Sequence, residues 1–215
     1  MKEIAFIDHY DSFSDNLIDW LEQLGEYEIR RIFCDDHHAL GDLVNIQRPA
    51  VFSPGPKSPE SVPLSVDTMK SLAGNVPVLG ICLGHQILGY SVGSIVGRIN
   101  RPTHGETKMV TISSDFQSVF DSRVLKVGVY NSLSVKCVNN AQIEVVGLDQ
   151  DGEIQIIKSK PSIGTWEAWG LQFHPESFLT DNLDIFGKYW MSLVDYFYGH
   201  SSYPAKSRIE LMSSS

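Results

Sequence analysis

Short apolar runs alternate with helix-like segments between residues 4 and 90, and this alternation constrains the fold more than any other feature. Each run has the length of a buried strand, and apolar residues recur at helical spacing between the runs. The predicted strands cover residues 4–7, 28–33, 50–52 and 76–81, and the predicted helices cover 17–24, 42–46 and 66–72. Strands that alternate with helices predict a parallel sheet that is covered on both faces.

The pattern changes after about residue 105, where predicted strands follow one another with little helix between them. They cover residues 109–112, 127–130, 143–146, 154–157 and 170–173, and a closing helix begins near 183. The predicted fold class is therefore α/β, with an open, mostly parallel central sheet flanked by helices and an antiparallel, strand-rich C-terminal half. We expect one domain over residues 1–198 and a polar C-terminal tail over 199–215.

Charge and cysteine content exclude several classes of protein. The formal net charge is −9 and no long basic cluster occurs, which argues against nucleic acid or a membrane surface as a partner. Cys34, Cys82 and Cys137 are odd in number, widely spaced and without a CxxC pair, so neither a disulfide framework nor a zinc site is predicted. No signal peptide is evident. We expect a cytoplasmic protein with free thiols, no cofactor and no metal.

Cys82 lies where a predicted strand meets a predicted helix, in the stretch LGICLGHQ. On such a turn the side chain is pushed out of the sheet, and the backbone N–H groups that follow face the same space. Nucleophile elbows use this geometry, and a helix N-terminus lowers the pKa of a thiol. A lone cysteine is also commonly a buried core residue. This stretch alone leaves both interpretations open.

Two further segments have the residue types that a cysteine nucleophile needs. His174 and Glu176 end a predicted strand in GLQFHPES, and a histidine base oriented by a carboxylate would complete a Cys-His-Glu set with Cys82. The turn SPGP follows another strand, and the N–H groups of Gly55 and Leu83 form a predicted oxyanion hole. Without a nucleophile, either segment would be an ordinary strand end or turn.

These segments resemble the class I (triad-type) glutamine amidotransferase domains, and most of all the small glutaminase subunits of anthranilate synthase and aminodeoxychorismate synthase. GICLGHQ resembles their nucleophile elbow, SPGP their oxyanion turn and GLQFHPES their His-Glu strand. IDHYDSFSDNL resembles their N-terminal stretch, and YNSL at 130–133 resembles their YHSL segment. The likeness extends in the same order from residue 4 to about residue 198. It implies the fold of that family.

The resemblance also implies a reaction. Cys82 would attack the side-chain amide of L-glutamine, giving a glutamyl thioester and ammonia, and water would then release glutamate. His174 would be the general base and acid, and Glu176 would orient it. Gly55 and Leu83 would supply the oxyanion-hole N–H groups.

Substrate and partner binding follow from the same resemblance. Gln86 would hold the amino-acid end of glutamine, and the backbone of Ser132 and Leu133 would bind its α-amino and α-carboxylate groups. No acceptor-substrate domain is present, so ammonia would pass to a chorismate-using synthase subunit of the component I type, which makes either anthranilate or aminodeoxychorismate.

Three positions depart from the family pattern. Lys57 follows the oxyanion turn where the family usually has glycine, His104-Gly105-Glu106 has a glutamate in place of lysine, and Asn131 replaces the histidine of YHSL. We expect the last two at the contact with the synthase.

Two other functions stay open: a stand-alone cysteine hydrolase of γ-glutamyl compounds, which needs no partner, and a non-catalytic subunit of the same fold.

Overall fold

The computed structural model describes residues 2–99, 101–103 and 105–199. The polar tail predicted at 199–215 lies outside these residues, apart from Gly199. The strands are β1 (Glu3–Asp8), β2 (Glu28–Phe33), β3 (Ala50–Phe52), β4 (Val78–Ile81), β5 (Ile95–Arg98), β6 (Glu106–Ile112), β7 (Val124–Val129), β8 (Leu133–Cys137), β9 (Ile143–Asp149), β10 (Ile154–Ser159) and β11 (Ala168–Leu171). The helices are α1 (Ser14–Gln23), α2 (His37–Ile46), α3 (Pro63–Leu72), α4 (Leu83–Ser91), α5 (Gln117–Phe120) and α6 (Asp184–Phe197).

Nine of these strands form one sheet in the order β2-β1-β3-β4-β11-β10-β9-β6-β7. The first five are mutually parallel, and every pairing from β11 to β7 is antiparallel. The predicted α/β class, with a parallel region and an antiparallel C-terminal half, is therefore confirmed. Strands β5 and β8 pair separately in a small antiparallel sheet, which was not predicted.

Helices cover both faces of the sheet because the central strands are apolar on both sides. Ile4 and Phe6 of β1 pack with α1, α5 and α6, whereas Ala5 and Ile7 pack with α2, α3 and α4. This division follows the two-residue period of a strand. Among the described residues, no helix is both long and apolar enough to cross a membrane.

The register of β4 determines which loops meet. Phe52 of β3 pairs with Gly80, and Leu171 of β11 pairs with Ile81, so β3, β4 and β11 end at the same edge of the sheet. The residues that follow these strands are the SPGP turn, Cys82 and the HPES segment. Because parallel neighbours present their carboxyl ends at one edge, the fold gathers three distant segments there.

Candidate active site

Cys82 occupies a sharp turn between β4 and α4. Its backbone has φ 52° and ψ −98°, a left-handed conformation that costs a non-glycine residue free energy and is found at functional sites. A Cβ at Gly84 would lie 2.3 Å from the Phe52 carbonyl oxygen, and one at Gly80 would lie 2.4 Å from the Gly84 carbonyl oxygen. Glycine on either side of Cys82 therefore lets α4 approach the sheet closely enough to form an elbow.

His174 and Glu176 lie beside this elbow because β11 is the neighbour of β4. The Cys82 N–H donates to the Leu171 carbonyl at 2.8 Å, which joins the elbow to the end of β11. His174 Nδ1 lies 2.6 Å from Glu176 Oε1, and both side chains are buried. The imidazole also interacts with the Cys82 side chain. Because Nδ1 is hydrogen-bonded to Glu176, Nε2 is the nitrogen left to face the thiol.

The surroundings of His174 favour its protonated form. Burial lowers its pKa, but hydrogen bonds and charge interactions with Cys82 and Glu176 together outweigh burial and raise the pKa to about 10. An imidazolium in contact with a cysteine favours an ion pair with the thiolate, which is the nucleophilic form of cysteine. The arrangement therefore places a proton donor against a cysteine sulfur, which are the two groups that attack on an amide and protonation of its leaving nitrogen require.

Two aromatic side chains hold the His174 ring from the sides. Phe13, in the loop before α1, lies 5.2 Å from the ring between centroids, and Tyr130, after β7, lies 5.0 Å away, both edge-on. The Tyr130 hydroxyl is 3.1 Å from Ser177 Oγ. These contacts were not predicted, although both residues lie in the quoted motifs. They leave the ring little freedom to turn away from Cys82.

Gly55 and Leu83, the two residues of the predicted oxyanion hole, lie next to each other. A Cβ at Gly55 would lie 2.7 Å from Leu83 Cδ2 and 2.7 Å from His9 Cβ, so this turn rests directly on both residues. The His9 N–H donates to Ser53 Oγ at 2.8 Å, and the His9 ring nitrogens contact Ser53 and Ser65 hydroxyls at 3.1 and 3.0 Å. Burial lowers the pKa of His9 to about 4, so a neutral histidine supports the turn.

Gln86 and the 132–133 backbone are in contact with each other and are connected to Cys82 by hydrogen bonds. Gln86 Nε2 donates to the Leu133 carbonyl at 3.0 Å and to Gln172 Oε1 at 3.2 Å. Gln172 Nε2 in turn donates to Cys82 Sγ at 3.6 Å. The Ser132 carbonyl accepts from Ile99 N–H at 3.0 Å. The predicted substrate-binding residues are therefore linked to the nucleophile through Gln172, a residue of the GLQFHPES segment for which no role was predicted.

The three departures from the family pattern have different surroundings. Lys57 is exposed, Glu106 Oε1 lies 3.6 Å from Arg101 Nη2, and Asn131 is buried. Asn131 Nδ2 donates to the Leu133 carbonyl at 2.9 Å, and the Asn131 carbonyl accepts from Thr103 N–H at 3.0 Å. Asn131 therefore ties the 131–133 turn to the loop before β6. His104 lies outside the described residues.

Comparison with known proteins identifies the family. A family model described as glutamine amidotransferase class-I matches residues 5–187. The chain belongs to this family. Aminodeoxychorismate synthase component 2 of Escherichia coli is 33% identical over 83% of the chain and 93% of the relative. Anthranilate synthase component 2 of Saccharolobus solfataricus is 32% identical over 82% of the chain and 91% of the relative.

Two further matches extend the comparison, one in sequence and one in fold. The bifunctional protein TrpGD of Thermotoga maritima is 31% identical over 91% of the chain, which spans only 33% of that protein. A Thermoplasma acidophilum protein described as a candidate GMP synthase component has the same fold, with a TM-score of 0.75, 18% identity and coverage of 92% of this chain and 96% of that one.

The contacts that Gln172, His9 and Phe13 make in this site were not predicted from the sequence. Gln172 follows the last residue of β11, and His9 and Phe13 lie in the irregular loop between β1 and α1, so no strand or helix period relates these residues to their partners. Across the described ranges, no group of three or more His, Cys, Asp or Glu side chains could hold a metal ion.

Proposed function

We propose that this chain is the glutaminase subunit of a two-component synthase. It hydrolyses L-glutamine through a thioester on Cys82 and delivers ammonia to a chorismate-using partner. The observation that supports this most directly is the position of Cys82, in a left-handed conformation at the elbow and beside a His174 ring that Glu176 holds at 2.6 Å. A core cysteine needs neither that backbone conformation nor a buried imidazole–carboxylate pair beside it.

The first half-reaction uses the protonated imidazole and the thiolate together. Cys82 Sγ attacks the side-chain carbonyl carbon of glutamine and forms a C–S bond, while the carbonyl π electrons move to oxygen. The N–H groups of Gly55 and Leu83 stabilise that oxyanion. When the oxyanion collapses, the C–N bond breaks, His174 gives its proton to the leaving nitrogen, and ammonia departs from a glutamyl thioester.

The second half-reaction restores the ion pair. Water attacks the thioester carbon as the neutral His174 takes one of its protons, and a second tetrahedral oxyanion forms in the same hole. Its collapse breaks the C–S bond and releases glutamate, with Cys82 as thiolate and His174 as imidazolium. Glu176 stabilises the charge on the ring in both halves, because its carboxylate faces Nδ1 throughout.

The backbone of Ser132 and Leu133 binds the α-carboxylate of glutamine through N–H groups. The Leu133 carbonyl already accepts bonds from both Gln86 and Asn131, and a carbonyl oxygen has two lone pairs. The group that Leu133 can still offer a ligand is therefore a donor, which suits a carboxylate. The free amide oxygen of Gln86 then suits the α-ammonium group.

The partner follows from the relatives rather than from the geometry. Proteins similar over most of this chain are named component 2 of aminodeoxychorismate or anthranilate synthase, and such a subunit works with a component 1 synthase. The three free cysteines suit a reducing cytoplasm, which we propose as the location.

The test is product formation from chorismate by the chain mixed with a component 1 synthase, supplied with either glutamine or an ammonium salt. We expect Cys82→Ser to abolish synthesis from glutamine and to leave synthesis from ammonium unchanged, because the partner needs only ammonia. Loss of both reactions would contradict the proposed division of labour. Full glutamine hydrolysis without a partner would favour the stand-alone hydrolase.

A further inference from the structure

Three buried side chains form a continuous chain of hydrogen bonds that ends on the nucleophile. Gln86 Nε2 donates to the Leu133 carbonyl at 3.0 Å and to Gln172 Oε1 at 3.2 Å, and Gln172 Nε2 donates to Cys82 Sγ at 3.6 Å. Gln172 is fully buried and Gln86 nearly so. The sulfur therefore has an amide donor in contact with it, in addition to the His174 imidazole.

The direction of this chain is fixed by the main chain. An amide side chain can in principle exchange its nitrogen and oxygen positions. The Leu133 carbonyl, however, can only accept, so Gln86 must present Nε2 to it. That same nitrogen faces Gln172, which must therefore present Oε1 to Gln86. Gln172 is left with Nε2 directed at Cys82, and its N–H group faces the sulfur.

We infer that Gln172 is a further catalytic residue, which stabilises the Cys82 thiolate by donating an amide N–H to its sulfur, and that Gln86 is a positioning residue that fixes the Gln172 amide. The inference rests on the proposed function, since it assigns Gln172 to the same nucleophile. It also gives Gln86 a role in addition to the substrate binding predicted for it.

The chemistry of the reaction uses such a donor twice. Before attack, the N–H group stabilises the negative charge on sulfur, because hydrogen bonds to a charged acceptor are stronger than those to a neutral one. During release of glutamate, the sulfur leaves as a thiolate and regains the same bond. Between these steps the sulfur is part of the thioester and carries the least negative charge. The hydrogen bond from Gln172 is therefore strongest in the two states in which the sulfur is a free thiolate.

The titratable groups around the elbow come from three elements. His174 follows β11, interacts with the Cys82 side chain and is held from its other side by Glu176. His85 lies on α4 against Gly170, and His9 follows Asp8, the last residue of β1, and lies beside Gly55. Substitution of Gln172 changes none of these charges. A change in the pH dependence of Cys82 reactivity after that substitution therefore reports the loss of the amide donor.

The experiment is the rate of Cys82 alkylation by iodoacetamide as a function of pH, measured as adduct on the Cys82 peptide by mass spectrometry. Mapping the peptide separates Cys82 from Cys34 and Cys137. We expect Gln172→Met, which is of similar length and lacks the donor, to raise the pH midpoint by roughly one unit. Gln86→Met should raise it by less, because Gln172 keeps its donor but loses its anchor.

Gln155→Met is the matched control. Gln155 is equally buried on β10, its carbonyl accepts from Gln172 N–H at 2.8 Å, and its side chain donates to Asp149 rather than to the elbow. We expect no change in its midpoint. A Gln172→Met midpoint equal to that of the wild type overturns the inference. If Gln172→Met shows no cooperative thermal transition, Gln86→Met is compared with the wild type instead, and an unchanged midpoint for that variant overturns the inference.

Failure of the proposed function can be recognised separately. If the wild-type chain releases no glutamate from glutamine with its synthase, the proposed function fails. The alkylation comparison still decides the role of Gln172 in that case, because iodoacetamide needs no substrate pocket. If glutamine is hydrolysed but Gln172→Met leaves the midpoint unchanged, only the role of Gln172 is wrong.

Discussion

His174 Nδ1 and Glu176 Oε1 lie 2.6 Å apart in a place that solvent does not reach. The other carboxylate oxygen, Glu176 Oε2, is buried and has no hydrogen-bond partner among the described residues. The imidazole is therefore the main compensation for a buried charge. Breaking such a pair from either side leaves an uncompensated group, which costs more than an exposed ion pair contributes.

The two members of this pair should differ in their effect on turnover. His174→Ala removes the group that transfers protons, so we expect glutamine hydrolysis to fall about 10²–10⁴-fold. Glu176→Gln keeps a hydrogen-bonding partner for the ring, so a smaller fall is expected. The measurement is kcat for glutamate release in the presence of the synthase. Equal turnover of His174→Ala and wild type would refute the triad.

Stability should fall as the pH is lowered from 6.5 towards 4, because two histidines are buried in the neutral form. Burial lowers the pKa of His9 and of His85 to about 4. Each histidine takes up a proton near pH 6.5 in the unfolded chain but not in the folded one. The fold is therefore not destabilised by these histidines above pH 6.5. Below pH 6.5, each histidine lowers the free energy of unfolding by up to about 1.4 kcal/mol for every pH unit.

His85→Leu tests this pH dependence. The Gly170 main chain lies beside the His85 ring, but neither ring nitrogen reaches hydrogen-bond geometry with any described group. Leucine removes the titration without leaving a donor or acceptor unpaired. We expect the free energy of unfolding of His85→Leu, measured with urea at pH 7.5, 6 and 5, to fall less with pH than that of the wild type. The part of the fall that comes from these two histidines should be about halved. An unchanged dependence would show that His85 does not titrate as proposed.

His174 changes the free energy of unfolding with pH in the opposite direction. Its pKa is raised above the unfolded value, so its stabilising contribution is complete below pH 6.5 and is lost as the pH rises towards 10. The maximum of stability is expected near neutral pH, between the two effects.

Sequence patterns predicted the parallel half of the fold more completely than the rest. β2 and β3 have the predicted bounds: β3 is a short apolar run that ends at the SPGP turn, and β2, with the sequence EIRRIF, lies between Gly25 and the polar residues that follow Phe33. α2 begins at His37, whereas the prediction began at 42; the Asp36 side chain accepts from Ala39 N–H and caps that start. β5 was missed because its residues are exposed or half-buried, so the strand has no buried face. β8 was missed because only Ser134 and Val135 are buried in it and it contains no apolar run.

The candidate site was predictable where function requires particular residue types and was not predictable where it depends on packing. Cys82, His174 and Glu176 were proposed from residue type and spacing, and the fold places them together. That Gln172 contacts the sulfur, and that Phe13 contacts the imidazole, depends on the alignment of β4 with β11 and on the loop before α1. Tertiary register of this kind has no local signal in the chain.

Gly84 should be far less tolerant of substitution than Gly41. A Cβ at Gly84 would lie 2.3 Å from a backbone oxygen, so Gly84→Ala must displace α4 and Cys82 from the sheet. At Gly41, inside α2, a Cβ would meet nothing within 4 Å. We expect Gly84→Ala to lower the free energy of unfolding by at least ~2 kcal/mol, and Gly41→Ala to raise it by about 0.5–1 kcal/mol. Urea unfolding of the two variants makes the comparison; equal stabilities would contradict it.

Glu106 should affect activation by the synthase rather than the chemistry at Cys82. It begins β6, and its closest cation among the described residues is Arg101, with Oε1 and Nη2 3.6 Å apart. Both side chains are largely exposed, so their own pairing contributes little to stability. The adjoining Thr103 is hydrogen-bonded to Asn131, at the turn proposed to bind glutamine. Under the proposed function, Glu106 lies where a partner could reach the substrate site.

A carboxylate at this position pairs with a basic group on the partner, whereas the usual lysine pairs with an acidic one. We therefore expect a synthase from an ordinary anthranilate system to activate the wild-type chain poorly. Glu106→Lys should lower the synthase concentration needed for half-maximal glutamine hydrolysis by roughly tenfold, which is the effect of one favourable charge contact.

Glu22→Lys is the matched control: it makes the same charge change on an exposed residue near the end of α1, at the opposite edge of the sheet from Cys82. The half-maximal concentration should stay unchanged in that control. If Glu22→Lys lowers it as much as Glu106→Lys does, net charge rather than a local contact governs the association; if neither variant lowers it, the synthase does not dock at Glu106.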